Sequence, residues 1–446
     1  MRVPTLSWPG LLLLSAVPLA AQAHPAAPIR IAPLDSLVAH AVAVHPAVHA
    51  AVARLDAARA RVAPAGTRPD PMLMAGIQNF PVSEPGFGDF MTMKMVGVSQ
   101  SLPYPGKLAL RRRAAEGEVR SAEAAVEVAR QDVIRRVREP YYELAYLDRA
   151  MEITARTQQL LVRFAGLAEA NYRVGMSSQQ DVIRARLEAS RLAEQGAMLA
   201  EQHRSEAARL NEALDRPTEA PLPPAVIPDA VVRAAVGADP RRIRFVSPTL
   251  GARAADSPLP PLESVQEMAV QSSPMLREHG AMLEAQAARV ELARREHLPD
   301  FDVSLQYGQR NRLSDMVSAT VSVPLPVHRA ARQDAALAEA RAESAALDAE
   351  HHEKHNEVRG EVARRYADLE RERSQLALYV TAILPQSRAS LEAATASYPA
   401  GKVDFLTLME NQAAVFNAEL AYHRALADFA KSLAALDQVV GREVLP

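Results

Sequence analysis

The sequence predicts a mostly helical, extended and internally duplicated chain that also carries four short amphipathic strands. Three observations predict this. The same order of elements occurs twice, apolar residues recur every seventh position over very long runs, and the strand segments alternate apolar with small polar residues.

The duplication shows as echoes in matching order. "HPAVHAAVARLDAARARV" (His45 to Val62) returns as "SPMLREHGAMLEAQAARV" (Ser273 to Val290), and "VSQSLP" (Val98 to Pro103) as "VSVPLP" (Val321 to Pro326). "YRVG" (Tyr172 to Gly175) returns as "YPAG" (Tyr398 to Gly401), and "LNEALDR" (Leu210 to Arg216) as "LDQVVGR" (Leu436 to Arg442). Each half reads helix, strand, loop, strand, very long helix, turn, helix, so the chain is a tandem repeat. The expected organisation is a first repeat over 24–214, a Pro-rich linker or equatorial region over 215–261, and a second repeat over 262–446. The linker holds ten of the 32 prolines, which breaks regular structure there.

The long helices carry heptads. Val119, Val126, Val133, Leu147 and Leu161 form one series, with Val137, Leu144 and Met151 beside it; Val362, Leu369, Leu376 and Ile383 form the series of the second half. A repeat of seven holds one seam against a neighbour, as in coiled coils. The run from about Lys107 to Asn171 spans on the order of 100 Å as helix. The shorter helices, near Leu34–Val62 and Ser178–Leu214, nearly match it in sum and can stack end to end beside it. Such lengths indicate a rod or tube. Pro140 is expected to kink or break the first long helix.

In "FDVSLQYG" (Phe301 to Gly308), Phe301, Val303, Leu305 and Tyr307 share one face, opposite Asp302, Ser304 and Gln306; "VSATVSV" (Val317 to Val323) alternates likewise. The pattern fits a half-buried soluble sheet or a membrane barrel. Four strands are too few to close a membrane barrel, so either the sheet has exposed edges or several chains share one barrel.

Composition narrows the class. Arg2, the apolar "GLLLLSAVPLA" (Gly10 to Ala20) and "AQA" (Ala21 to Ala23) read as a signal peptide over 1–23. Cysteine is absent, which excludes disulfides, thiolate metal sites and N-terminal lipidation at cysteine. A net charge of −2 argues against nucleic acid. Beyond the signal peptide no apolar run reaches the length of a membrane helix. No phosphate loop, zinc-protease helix or nucleophile elbow occurs, so neither an enzyme nor a cofactor is expected.

The stretches "LPQSRASLEAATASYPAGKVDFLTLMENQ" (Leu384 to Gln412) and "SQSLPYPGKLALRRR" (Ser99 to Arg113) carry a likeness to a known family. With the repeat, the chain resembles the TolC-like outer-membrane efflux proteins over nearly all of its mature length. The Pro-Gly-Lys form is similar to the heavy-metal branch of that family. The resemblance implies a mixed α/β membrane protein and a homotrimer. Its 12-stranded outer-membrane β-barrel would take four strands per chain and continue as a long periplasmic α-helical coiled-coil barrel. It implies a passive exit duct for heavy-metal cations, served by a periplasmic adaptor and an inner-membrane pump of the RND type, and set among outer-membrane lipids. A duct for drugs or secreted proteins, and a soluble periplasmic adaptor or scaffold, are the alternatives.

The resemblance makes each Tyr-x-x-Gly turn a periplasmic tip that meets the adaptor and closes the tunnel. Gly175 and Gly401 suit left-handed helix ends, and Ser177, Ser178 or Asp404 can cap the returning helices. Asp181 and Glu410 are the expected gate acids, either of which can equally be ordinary helix-face charge. Thr407 stands where some relatives carry an acid. Tyr172 and Tyr398 are expected to latch or simply pack neighbouring helices. His351 and His355, one turn apart in "HHEKH", form a weak metal pair. Met91, Met93 and Met95 in "MTMKM" read as a lipid-facing or loop-end stripe rather than a copper or silver site. Lys107 and Arg111 to Arg113, at a helix start, would face either anionic lipid headgroups or solvent.

Overall fold

A computed structural model describes residues 34–82, 87–175, 177–237 and 259–445. The expected signal peptide and the centre of the Pro-rich region, 238–258, lie outside the described residues.

The first repeat runs α1 (Leu34–Val44), α2 (Pro46–Gly66), β1 (Met72–Gln78), β2 (Met93–Leu102), α3 (Lys107–Arg173) and α4 (Gln179–Ala213). A short helix α5 (Asp229–Val236) lies in the connecting region. The second repeat runs α6 (Leu262–Ser272), α7 (Pro274–Arg295), β3 (Phe301–Arg310), β4 (Met316–Ser322), α8 (Gln333–Leu378), α9 (Leu384–Ser397) and α10 (Phe405–Val440). The strands form one antiparallel meander, β1-β2-β3-β4, in which the two repeats meet at the β2–β3 pairing. No single helix among the described residues is long and apolar enough to cross a membrane.

Helix α3 is the spine. Its 67 residues are matched by α1, α2 and α4 taken together, and these stack along it as the lengths require. On its other side α3 packs against α7 near the sheet and α10 toward the tips, with α8 and α9 beyond them. The heptad seams are the core: Val133, Val137 and Leu147, and in the second half Val362, Leu369 and Leu376, have no exposed surface.

Pro140 does not break the helix, which runs unbroken from Lys107 to Arg173. Proline removes one intrahelical bond there, but Val137, Pro140, Tyr141, Tyr142 and Leu144 are all buried. Tyr141 Oη also accepts the Val226 N–H at 3.1 Å, pinning the connecting segment to this point. Packing on both flanks outweighs one lost hydrogen bond. The second long helix, by contrast, is interrupted: Tyr379–Ile383 forms a π-turn between α8 and α9. Pro385, in the first turn of α9, cannot donate to the Thr381 carbonyl, and the wider turn precedes it.

Ion pairs tie α3 to the second repeat along its length. Arg138 meets Asp437 at 3.2 Å and Glu443 at 2.7 Å, and Glu143 meets Arg424 at 2.7 Å and Lys431 at 2.6 Å. Burial pushes the Asp437 carboxyl up to about 6, against the Val444 N–H and the Arg138 guanidinium that favour its charge. An acid raised in the folded state holds its proton longer than the unfolded chain does. Its contribution to stability is therefore full below the ordinary value of 3.8 and is lost as pH rises through about 6. Thermal melts across that window test this: the stability of wild type relative to Asp437→Asn is expected to fall by about 3 kcal/mol as pH rises. A pH-independent difference would show that Asp437 does not titrate there.

Candidate functional site: the two-faced sheet and the helical tips

Register divides the sheet into two chemically distinct faces. Leu73 opposes Val98, which opposes Leu305, which opposes Ala319. Val96, Tyr307 and Val317 lie in the next row, and Val303 and Val321 in the row toward the helices. This apolar face is open: Leu73 is 76%, Leu305 58%, Val317 69% and Val321 66% exposed. The opposite face carries Gly76, Gly97, Ser99, Ser101, Asp302, Ser304, Gln306, Gly308, Ser318, Thr320 and Ser322. A soluble sheet buries its apolar face and wets its polar one; here no helix among the described residues covers the apolar side.

Strands of 7 to 10 residues span roughly 23–33 Å, about the height of an outer-membrane apolar band. Aromatic rings bracket the band. Phe80 and Phe87 meet edge-on at 5.6 Å at the loop end, and Tyr104 stacks on Phe301 at 6.4 Å at the helix end. Such girdles mark the two membrane interfaces of a barrel wall.

Pairing places Met93 and Met95 on the polar face, in the rows of Arg310 and Gly308, opposite the open apolar face. Met91 lies in the turn before β2, its N–H bonded to Asp89 Oδ1 at 2.8 Å. Sequence parity alone could not say which face was outward.

Lys107 corrects the sequence reading. It is 1% exposed, and its Nζ lies 2.9 Å from both Glu296 and Asp300. Asp300 also accepts the Tyr104 N–H at 2.8 Å, and Arg111 reaches Glu296 at 3.4 Å. Arg112 pairs with Glu116 on its own helix. Lys107 is thus buried against acids of the second repeat rather than facing headgroups or solvent, with Arg111 part-exposed beside it. They fix the exit of β2 against the end of α7, where sheet becomes tube.

At the other end of the molecule both expected turns are present. Gly175 (φ 78°) and Gly401 (φ 67°) are left-handed, a conformation costly for any residue with a Cβ. In the second tip Lys402 N–H bonds Ser397 O at 3.3 Å and Gly401 N–H bonds Tyr398 O at 3.0 Å, a Schellman closure. In the first, Gly175 N–H bonds Tyr172 O at 3.0 Å, and Met176 lies outside the described residues.

The returning helices are capped by the same pair of groups in opposite order. Ser178 Oγ accepts the Asp181 N–H at 3.3 Å while Asp181 Oδ2 accepts the Ser178 N–H at 3.0 Å, a full capping box. The Ser177 hydroxyl donates to the same carboxylate at 3.2 Å. In the second tip Asp404 is the N-cap and accepts the Thr407 N–H at 2.9 Å. The Thr407 hydroxyl and N–H hold the Asp404 carboxyl below the usual carboxylate range. Asp181 and Thr407 are therefore structural counterparts, each six residues after its glycine. Glu410 lies one turn farther along. It is exposed and makes no ion pair among the described residues.

The tyrosines also differ. Tyr398 is 8% exposed and packs on Phe405 at 5.7 Å, in a core with Phe164, Leu408 and Phe416. Tyr172 is 47% exposed.

One residue missed by sequence is Glu419, which accepts from Arg156 of α3 and, at 2.8 Å, from Arg388 of α9. Its signal was there to read: a lone acid in the apolar run "AAVFNAELAY" (Ala413 to Tyr422). His351 and His355 are half-buried on α8, and no group of three or more His, Cys, Asp or Glu able to hold a metal occurs among the described residues.

A membrane-facing sheet, a long helical extension and paired tips define the class of an outer-membrane channel continued by a helical barrel. The chain belongs to the outer membrane efflux protein family, whose model matches residues 37–216 and 265–442. Membership makes it an efflux channel of the outer membrane and a passive conduit rather than an enzyme. Solved structures share the fold. The outer-membrane channel OprN is 18% identical, with a TM-score of 0.73 over 93% of this chain and 91% of its own. VceC of Vibrio cholerae is 18% identical, with a TM-score of 0.73 over 92% of this chain and 96% of its own. CusC is 16% identical, with a TM-score of 0.73 over 92% of each chain. No curated protein sequence matches the chain.

The caps and Glu410 separate under hydrogen exchange. Ser178→Ala is expected to cost about 1 kcal/mol at the start of α4 and to speed amide exchange at Asp181. Glu410→Ala is expected to leave the start of α10 unchanged, and faster exchange there would give Glu410 a structural role.

Proposed function

We propose that this channel is the exit duct of a three-part efflux system for heavy-metal cations. Three copies would pair β1 of one chain with β4 of the next to close a 12-stranded barrel. An inner-membrane pump of the RND type would supply the energy and a periplasmic adaptor would bridge the two. The observation that carries the duct is the two-faced sheet: apolar side chains are exposed on one face, polar ones line the other, and both edges are open. The helices support it, because α4, on one flank of the layer, exposes Ile183, Leu187 and Met198, an apolar face suited to a neighbouring chain. The cargo assignment is supported by the Pro-Gly-Lys exit at Pro105 to Lys107 and by the methionines of the polar face.

In this reading Tyr172, Gly175, Tyr398, Gly401, Asp404 and Thr407 shape the tips that meet the adaptor. Glu410 supplies the acidic ring that narrows the tunnel and favours cations. Asp181 is the weaker gate acid, because its carboxylate is already engaged by Ser177 and Ser178.

Single-channel recording in planar bilayers tests this. Wild type is expected to conduct with cation preference, Glu410→Ala to raise conductance and weaken that preference, and Asp181→Ala to change either less. Absence of channels would overturn the duct and favour a soluble scaffold. Channels indifferent to Glu410→Ala would move the gate elsewhere.

A further inference from the structure

Five of the chain's 14 methionines lie in the strands, and all five fall on the polar face. Parity alone would place five of five together on that side in about one case in thirty. The apolar face is built mostly of Val, Leu, Ile, Ala and aromatic residues, with Lys94, Gln100 and Gln309 among them, and has no methionine. A polar wall of Ser, Thr, Gln and Gly has no packing need for unbranched apolar side chains, so their chemistry is the better guide to their placement.

The methionines occupy four successive rows. Met72 shares a row with Ser99, Ser304 and Thr320, and Met74 with Gly97, Gln306 and Ser318. Met95 and Met316 share a row with Gly76 and Gly308, and Met93 lies with Gln78 and Arg310. Rows on one face are about 7 Å apart, so thioethers run stepwise from the helical end of the sheet to its outer end.

The rows tighten around Gly308. It pairs directly with Met95 on one side and Met316 on the other, and a Cβ built on it would stand 3.4 Å from Met93 Sδ. Gly308 is buried although it lies mid-strand on an open sheet. The Met93 side chain therefore lies over a residue without a side chain of its own, and Met95 and Met316 flank that residue in the same row.

Resting on the duct reading for its place in the lumen, we propose that Met93, Met95 and Met316 form a binding site for soft monovalent metal cations, with Met74 and Met72 as the steps leading to it. Thioethers are soft, neutral ligands that select monovalent copper and silver over zinc or magnesium. Being neutral they hold a cation without trapping it, and several weak sites in series suit passage better than one tight site.

The test is titration of Ag⁺ alone, in chloride-free buffer, into the detergent-purified full chain, read by calorimetry and by methionine methyl NMR shifts. The comparison protein is the Met93→Leu/Met95→Leu/Met316→Leu variant, in which leucine keeps volume and removes sulfur. Saturable Ag⁺ binding is expected in wild type, with shifts of those three methyl groups, no displacement by Zn²⁺, and loss in the variant. Equal binding by the variant, unmoved methyl groups or displacement by Zn²⁺ would overturn the site. Potassium conductance of both proteins keeps the two readings apart. Conducting proteins with equal Ag⁺ binding would overturn the site alone, whereas Ag⁺ bound at these methionines in a protein that never conducts would overturn the duct and leave the site standing.

Discussion

A four-stranded sheet with an exposed apolar face and two open edges cannot remain alone in either solvent available to it. In water it presents Leu73, Leu305, Val317 and Val321 to solvent, an aggregation-prone surface. In a bilayer the unpaired main-chain groups of β1 and β4 would each cost roughly several kcal/mol. Pairing the edge strands of adjacent copies removes both penalties together. The helices are arranged consistently with that requirement. They leave the sheet at one end, they stack as a layer rather than a closed bundle, and α4 keeps an apolar face with no partner among the described residues.

What holds the layer in shape is the attachment of α3 to the second repeat. Lys107 meets Glu296 and Asp300 at the sheet, Arg120 meets Glu284 farther along, Glu143 and Arg138 anchor the middle, and Arg156 meets Glu419 toward the tips. Exposed pairs in this series, such as Arg120–Glu284, contribute little each. Lys107, Arg138 and Glu143 are largely screened from water and set the axial register between the halves, because a slip would leave a buried charge alone. The apolar seam is degenerate by comparison, since one valine or leucine position resembles the next.

Most of the architecture was legible because its signals are periodic. Heptads at Val126, Val133, Val362 and Leu369 fixed the long helices and their buried seam, and alternation at Phe301–Tyr307 fixed a strand and its two faces. The paired Tyr-x-x-Gly turns located both tips. What was not legible depended on three-dimensional neighbours. Lys107 looked like a surface cation until Glu296 and Asp300, from the other repeat, came beside it. The methionines could be assigned to a shared face but not to its surroundings, because parity does not reveal which side a membrane occupies. The effect of Pro140 depended on the packing of Tyr141 and Tyr142, not on its own ring. The different surroundings of Asp181 and Glu410 were not legible either, because the capping bonds that engage Asp181 and leave Glu410 exposed depend on the backbone of each tip.

The two tips are thus alike in backbone and unlike in chemistry. One is closed by a serine cap and leaves its tyrosine exposed; the other has an aspartate cap and buries its tyrosine against Phe405. In a ring of copies such tips would alternate, giving a partner two kinds of contact from one chain. All of this rests on several chains sharing one barrel. The most direct measurement is the mass of the detergent-extracted protein, with bound detergent accounted for, by light scattering or native mass spectrometry. Three chains per particle are expected; a monodisperse, well-folded single chain would contradict the shared barrel.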